Sequence, residues 1–200
     1  MNGAMMFTVE KYISKSKGNN QRYNSWNHCF EAFGNLNDDK VLSLHLAFYL
    51  ASWGMYRGSS KLLNFDFLIH IGAVRLLHSY NSLRCSSECN VADMDLVKIL
   101  DLIDKLSKYY KEKGITPTDT LISKIILGTL GCLPAYDRFF IEGVKHHNKN
   151  FRNLNKKSLQ SLFNYVIDHK ELITIQKAYP EYPLMKLVDI YFWQTGYDLS

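Results

Sequence analysis

Proline and cysteine are scarce in this chain, four of each in 200 residues, and it contains no long apolar run. Each shortage excludes a class of protein. Four cysteines, Cys29, Cys85, Cys89 and Cys132, cannot staple a chain of this length, so a disulfide scaffold is excluded and reduced thiols in a cytoplasmic protein are expected. No window approaches about 18 consecutive apolar residues, which removes an ordinary membrane span and any expected membrane partner. The opening MNGAMMFTVEKY lacks a basic stretch followed by an apolar core, so no secretion signal is expected. No segment alternates apolar and polar residues at period two for long enough to form a strand. GxSxG, GxxxxGK[ST] and GxGxxG are all absent, so no nucleophile elbow, P-loop or dinucleotide fold is read, and no cofactor is expected.

What the chain does have is apolar and aromatic bulk. At 46% apolar and 14% aromatic composition, it can bury one substantial core. Its net charge of +5 permits an anionic partner without requiring one. Helical spacing recurs throughout. Trp26, Cys29, Phe30 and Phe33 form one stripe, closed by Gly34, and Leu42, His45, Leu46, Tyr49 and Leu50 form another, ended by Gly54. A third helix, capped by Asn64, carries Phe67, Leu68, Ile71, Val74 and Leu77. The most regular stripe is Leu96, Ile99, Leu100, Ile103, Leu106 and Tyr110, begun by Asp93 and capped by Gly114. Later stripes are Leu159, Leu162, Phe163 and Val166, and then Met185 to Trp193, ending at Gly196. The reading is an all-α single domain over residues 1–200, a bundle of about eight helices.

The stretch Ile115 to Lys145, ITPTDTLISKIILGTLGCLPAYDRFFIEGVK, sits at its centre. Thr118 or Asp119 caps a helix near 119–131 in which Leu121, Ile122, Ile125, Ile126, Leu127 and Leu130 cover more than one face. Such a helix belongs inside a bundle. It stops at Gly131, Pro134 follows, and Asp137 opens a further helix through Phe139, Phe140 and Val144. A carboxylate at a helix N-terminus stays charged and can orient a water or stabilise a cation, so Asp137 is the candidate catalytic residue.

This order of apolar helix, glycine, proline and aspartate before a further helix resembles the core of the helix-hairpin-helix DNA glycosylases. The resemblance covers roughly residues 115–140 and implies a catalytic role for Asp137. The family's glycine-rich hairpin would fall on Ile115-Thr116-Pro117-Thr118-Asp119, which holds no glycine. Asp119 and Thr120 stand near the place of the lysine that its bifunctional members use.

Other clusters compete for function. The junction from Trp53 to Ser60 gathers Trp53, Arg57, Ser59 and Ser60, which with His70 and Tyr136 would line a pocket for an anionic small molecule. Arg57 and Asp137 carry opposite charge at two helix junctions and meet only if those junctions are neighbours. Lys145, Lys149, Arg152, Lys156 and Lys157, interspersed with asparagines and with no acid between them, are the candidate contacts to nucleic-acid phosphates. His78, Cys85 and Cys89 lack a fourth ligand and no HxxxH or HExxH pair occurs, so no metal is expected. The functional expectation is a nucleic-acid-associated protein, glycosylase-like around Asp137. The alternative is a non-enzymatic binding module with its pocket at the Trp53–Ser60 junction.

Overall fold

In a computed structural model, residues 3–18, 21–57, 60–85 and 89–200 are described. They form ten α-helices, with no strand among the described residues. Short polar side chains start many of the helices. Asp38 accepts from Lys40 N and Val41 N at the head of α3 (Asp39–Ser52), and Asp95 accepts from Lys98 N at the head of α5 (Leu96–Glu112). Thr118 accepts from Leu121 N before α6 (Asp119–Thr129), Asp137 from Phe140 N before α7 (Arg138–His146), and Asn155 from Ser158 N before α8 (Lys156–Asp168). Each cap satisfies an amide that the helix leaves open and contributes about 1 kcal/mol.

The bundle has more helices than the about eight expected from periodicity. One of the additional helices is α9 (Lys170–Ala178), which follows α8 after the single residue His169, at φ −100° and ψ 87°. Neither glycine nor proline marks that break, so nothing in the sequence pattern announces it. The segment expected to run as one helix from Asn64 instead makes two 3₁₀ turns, Leu62–Asn64 and Phe67–His70, before α4 (Ile71–Ser79). Asp66, accepting from Leu68 N, is the cap there.

The last helix, α10 (Leu184–Asp198), runs through Gly196 rather than stopping at it. A β-carbon at Gly196 would lie 1.9 Å from Phe139 O, and one at Gly143 would lie 2.0 Å from Phe192 O. These two glycines let the backbones of α7 and α10 cross in near contact, which no residue with a side chain permits.

Two helices are buried on every side. In α6 every residue from Leu121 to Thr129 is buried, as the apolar pattern requires, and in α10 the same holds from Leu184 to Gln194. Around them pack α1 (Ala4–Ser16), α2 (Asn24–Asn35) and the remaining helices, sharing one hydrophobic core that reaches from Met5 to Trp193. Ile125, at 0% exposure in the middle of α6, samples the centre of that core. Ile125→Ala is expected to cost about 2–5 kcal/mol by lost transfer energy and an unfilled cavity. A urea midpoint unchanged by the substitution would show that α6 is not central.

Candidate functional site

The turn between α6 and α7 is where charge enters the core. Gly131 leaves α6 at φ +67°, a left-handed conformation that glycine adopts without strain, and the chain stays buried through Tyr136. Its backbone is bound on both sides. Ala135 N donates to Asp189 Oδ1 at 2.9 Å, Tyr136 N donates to Ser123 Oγ at 2.8 Å, and Thr120 Oγ1 donates to Tyr136 O at 2.8 Å.

Asp137 then uses both carboxylate oxygens: Oδ1 accepts from Phe140 N at 3.1 Å and Oδ2 pairs with Lys124 Nζ at 2.8 Å. Close by, Lys186 Nζ pairs with the remaining oxygen of Asp189 at 2.9 Å. Side-chain exposures are 5% and 14% for Lys124 and Asp137, and 4% and 6% for Lys186 and Asp189.

Aromatic rings enclose both pairs. Lys124 Nζ lies 5.1 Å from the centre of the Trp53 ring, and Lys186 Nζ lies 5.3 Å from that of Tyr12 and 5.2 Å from that of Trp26. Tyr12, Tyr23, Trp53 and Trp193 meet edge to face, with centroids 5.0–6.3 Å apart. Burial first, and the Asp189 charge second, push the hydroxyls of Tyr12 and Tyr49 well above the usual phenol range, so both stay neutral.

Asp137 therefore meets Lys124 and not Arg57, whose side chain is exposed while its backbone N donates to Gly54 O. Of the expected pocket's described members, Tyr136 joins this turn through its backbone and Trp53 faces the Lys124 ammonium with its ring. Trp53 is half-buried, with its Nε1 enclosed and without a hydrogen-bond partner. Ser60 closes a local turn, donating to Met55 O at 2.6 Å and accepting from Leu62 N at 3.3 Å. Ser59 lies outside the described residues. Tyr136 is buried, and its hydroxyl approaches Ser158 without making a hydrogen bond of ordinary geometry. The expected set thus does not line one open cleft, because Ser60, His70 and Tyr136 are all enclosed by protein.

Lys124 is the residue that sequence reasoning missed. It stands thirteen residues before Asp137, the one charged residue in the buried stretch from Leu121 to Thr129 of α6. A lysine there must find a carboxylate or leave the core, and that requirement was the available signal. Replacing Asp137 by Asn should leave the Lys124 ammonium buried without a counter-charge, at a cost of about 3–5 kcal/mol. The double variant Lys124→Met/Asp137→Asn should recover part of that loss. Equal melting temperatures for wild type and Asp137→Asn would refute the structural pair.

His70 is wholly buried between two phenols, with Nε2 2.8 Å from Tyr56 OH and Nδ1 2.7 Å from Tyr110 OH. A neutral imidazole, with one nitrogen donating and the other accepting, suits this bridge. Burial pushes its pKa down to about 3 from 6.5. The unfolded chain therefore takes up a proton at His70 that the folded chain refuses between those values. Stability should be unaffected by His70 above about pH 6.5, and should fall by about 1.4 kcal/mol per pH unit below it until about pH 3. Urea unfolding from about pH 7 to 5, with the His70 ring resonance followed by NMR, checks this. A His70 resonance titrating near 6.5 in the folded protein contradicts it.

The basic run spans the end of α7, the connection to α8 and the first turn of α8. Lys145 pairs with Glu142 at 2.8 Å, whereas Lys149, Arg152, Lys156 and Lys157 have no carboxylate partner among the described residues. Lys149 Nζ lies 5.1 Å from the centre of the Tyr165 ring, and Arg152 Nε donates to Lys149 O at 3.1 Å. Leu154 N donates to Asp119 Oδ2 at 3.1 Å, which ties the connection to the head of α6. Asn150, Arg152, Asn153, Asn155, Lys157, Ser158 and Ser161 enclose a surface hollow of about 410 Å³ that no acidic residue lines.

These features define an all-α single-domain protein with paired charges at its centre and an uncompensated cationic connection on its surface. Comparison with protein-family models, characterised proteins and solved structures gives no match. Among the described residues, no helix is long and apolar enough to cross a membrane, and no three His, Cys, Asp or Glu residues are grouped to hold a metal.

Proposed function

We propose that the chain binds nucleic acid by holding the phosphate backbone on the α7–α8 connection. One observation carries this reading. Lys149, Arg152, Lys156 and Lys157 collect there without carboxylate partners among the described residues, beside a hollow walled by amide, hydroxyl and cationic groups. Phosphate oxygens need charge together with hydrogen-bond donors, and asparagine, serine and arginine side chains supply donors next to the lysines. Lys156 and Lys157 also stand on the first turn of α8, where free amides favour an anion. Such contacts position a backbone and carry little sequence information, so binding should be weakly sequence-selective.

Affinity should fall steeply with salt, since each phosphate neutralised contributes about 0.9 to the logarithmic slope on duplex DNA and about 0.7 on a single strand. Lys156→Glu and Lys157→Glu should each flatten that slope by about one unit. Lys145→Glu should flatten it less, because Glu142 already holds Lys145. Fluorescence anisotropy with labelled DNA and RNA across a salt series measures all of these. No binding even at low salt would overturn the reading and favour the non-enzymatic module at Trp53–Ser60.

A second reading extends the first to chemistry at Asp137. The resemblance to the glycosylases implies a catalytic aspartate there, and the pair that Asp137 makes with Lys124 at 2.8 Å would have to open for it to act. Release of a free base from damaged duplex DNA by the wild-type protein supports this reading. Its absence, while plain binding persists, confines the protein to binding.

A further inference from the structure

Cys85 and Cys89 bring two thiols into contact. Their sulfurs stand 2.8 Å apart, less than 1 Å beyond the about 2.05 Å of a disulfide bond. The two thiols differ in everything but proximity. Cys85 is buried and held rigidly by its neighbours: its N donates to Leu130 O at 2.8 Å, and the adjoining Arg84 guanidinium donates to Phe30 O at 2.6 Å and to Thr129 O. Those carbonyls belong to the C-terminal halves of α2 and α6, so the Arg84–Cys85 segment is fixed to the bundle. Cys89 is half-exposed and opens onto two hollows. One, of about 410 Å³, is lined by Ser82, Arg84, Asp93 and Lys98 among others, and the second, of about 270 Å³, is lined largely by apolar groups. A small polar oxidant can therefore reach Cys89, and only through Cys89 can it act on Cys85.

We propose that Cys89 and Cys85 form a reversible oxidation site, with Cys89 as the nucleophile toward a small peroxide and Cys85 as the resolving thiol. Cys89 thiolate attacks one peroxide oxygen, the O–O bond breaks, and the departing hydroxide takes a proton to become water, leaving a sulfenic acid on Cys89. The Cys85 sulfur then attacks the Cys89 sulfur, the S–O bond breaks, and the hydroxide released takes the Cys85 proton. Two thiols are oxidised to one disulfide and one peroxide is reduced to two waters.

The protonation pattern fits these roles. The hydrogen bond from Cys85 draws the Cys89 thiol down to about 7 from 9, while the same bond and burial push Cys85 up. Attack by a thiolate is fastest when its pKa lies near the ambient pH. The other two thiols are unsuited, because Cys29 and Cys132 are fully buried and burial pushes both pKa values up.

Intact-mass and peptide mass spectrometry of the reduced full chain, treated with stoichiometric hydrogen peroxide, provides the test. The expected product has lost two hydrogens, carries a Cys85–Cys89 cross-link, and reverts with dithiothreitol. Cys85→Ser should stop at a sulfenic acid on Cys89 that dimedone traps. Cys89→Ser should resist oxidation, and Cys132→Ser should behave as wild type. Iodoacetamide should modify Cys89 first, with a rate rising through a midpoint near pH 7. A chain that keeps all four free thiols after peroxide, or that joins Cys132 to either partner, overturns the proposal, and both results are read on the wild-type protein.

Discussion

Two lysine–aspartate pairs at the centre of the bundle are the constraint on which the other contacts depend. Lys124 and Asp137 join α6 to the head of α7, and Lys186 and Asp189 sit within α10. Each carboxylate also binds a backbone amide. Asp137 caps α7 in this way, and Asp189 holds the amide of Ala135 in the intervening turn. Four segments are thereby registered against one another at a single place. Taking such charges out of water costs several kcal/mol per ion, and only good geometry with further hydrogen bonds offsets it. Both pairs meet that condition, with N–O distances below 3 Å and their ammonium groups facing aromatic rings. Beyond their net energy, the pairs and the amides they hold set a single register for the turn.

That register matters because α7 and α10 touch through backbone. At Gly143 and Gly196 the approach leaves no room for a β-carbon, so a small slide of either helix would open a void or drive main chain into main chain. Asp137 at the N-terminus of α7 and Asp189 within α10 fix that slide from the same turn. The edge-to-face cluster of Phe139, Trp193 and Tyr197 fills the flank of the crossing. Arg84 plays a similar part for α2 and α6, lying on the Phe30 ring at 3.8 Å and donating to Phe30 O within α2 and to Thr129 O at the end of α6.

What the sequence made legible follows the same physics. The stripe of α5 and the all-round apolarity of α6 are readable because burial follows the 3.6-residue period, and the caps Thr118 and Asp137 because free amides select short polar side chains. The misreadings have particular causes. Gly196 looks like a stop because a glycine beyond an apolar stripe usually is one; only a neighbouring backbone 1.9 Å from its missing β-carbon gives it another meaning. The break at His169 has no local signal. Arg57 looks like the partner of Asp137 because both lie at junctions, whereas the cation that reaches Asp137 is one turn and more inside α6. Sequence spacing shows which residues share a face of one helix, but not which junctions are neighbours in space.

The interior pairs also determine where the net charge of +5 can act. Lys124 and Lys186 are neutralised at contact distance in the core, so neither projects a field to solvent. On the surface, Lys11, Arg75, Lys105 and Lys145 are each matched to a carboxylate. On the α7–α8 connection adjacent cations remain unmatched among the described residues, and this connection is anchored at both ends. α7 begins at the Asp137 pair and is nine residues long, about 13 Å of helix. The connection beyond it is tied back to α6 by Asp119 and ends in the Asn155 cap of α8. Cations on a pinned backbone lose less freedom on meeting a phosphate chain than cations on a free loop. The charge pairing that orders the core thus also holds this uncompensated cationic surface in place.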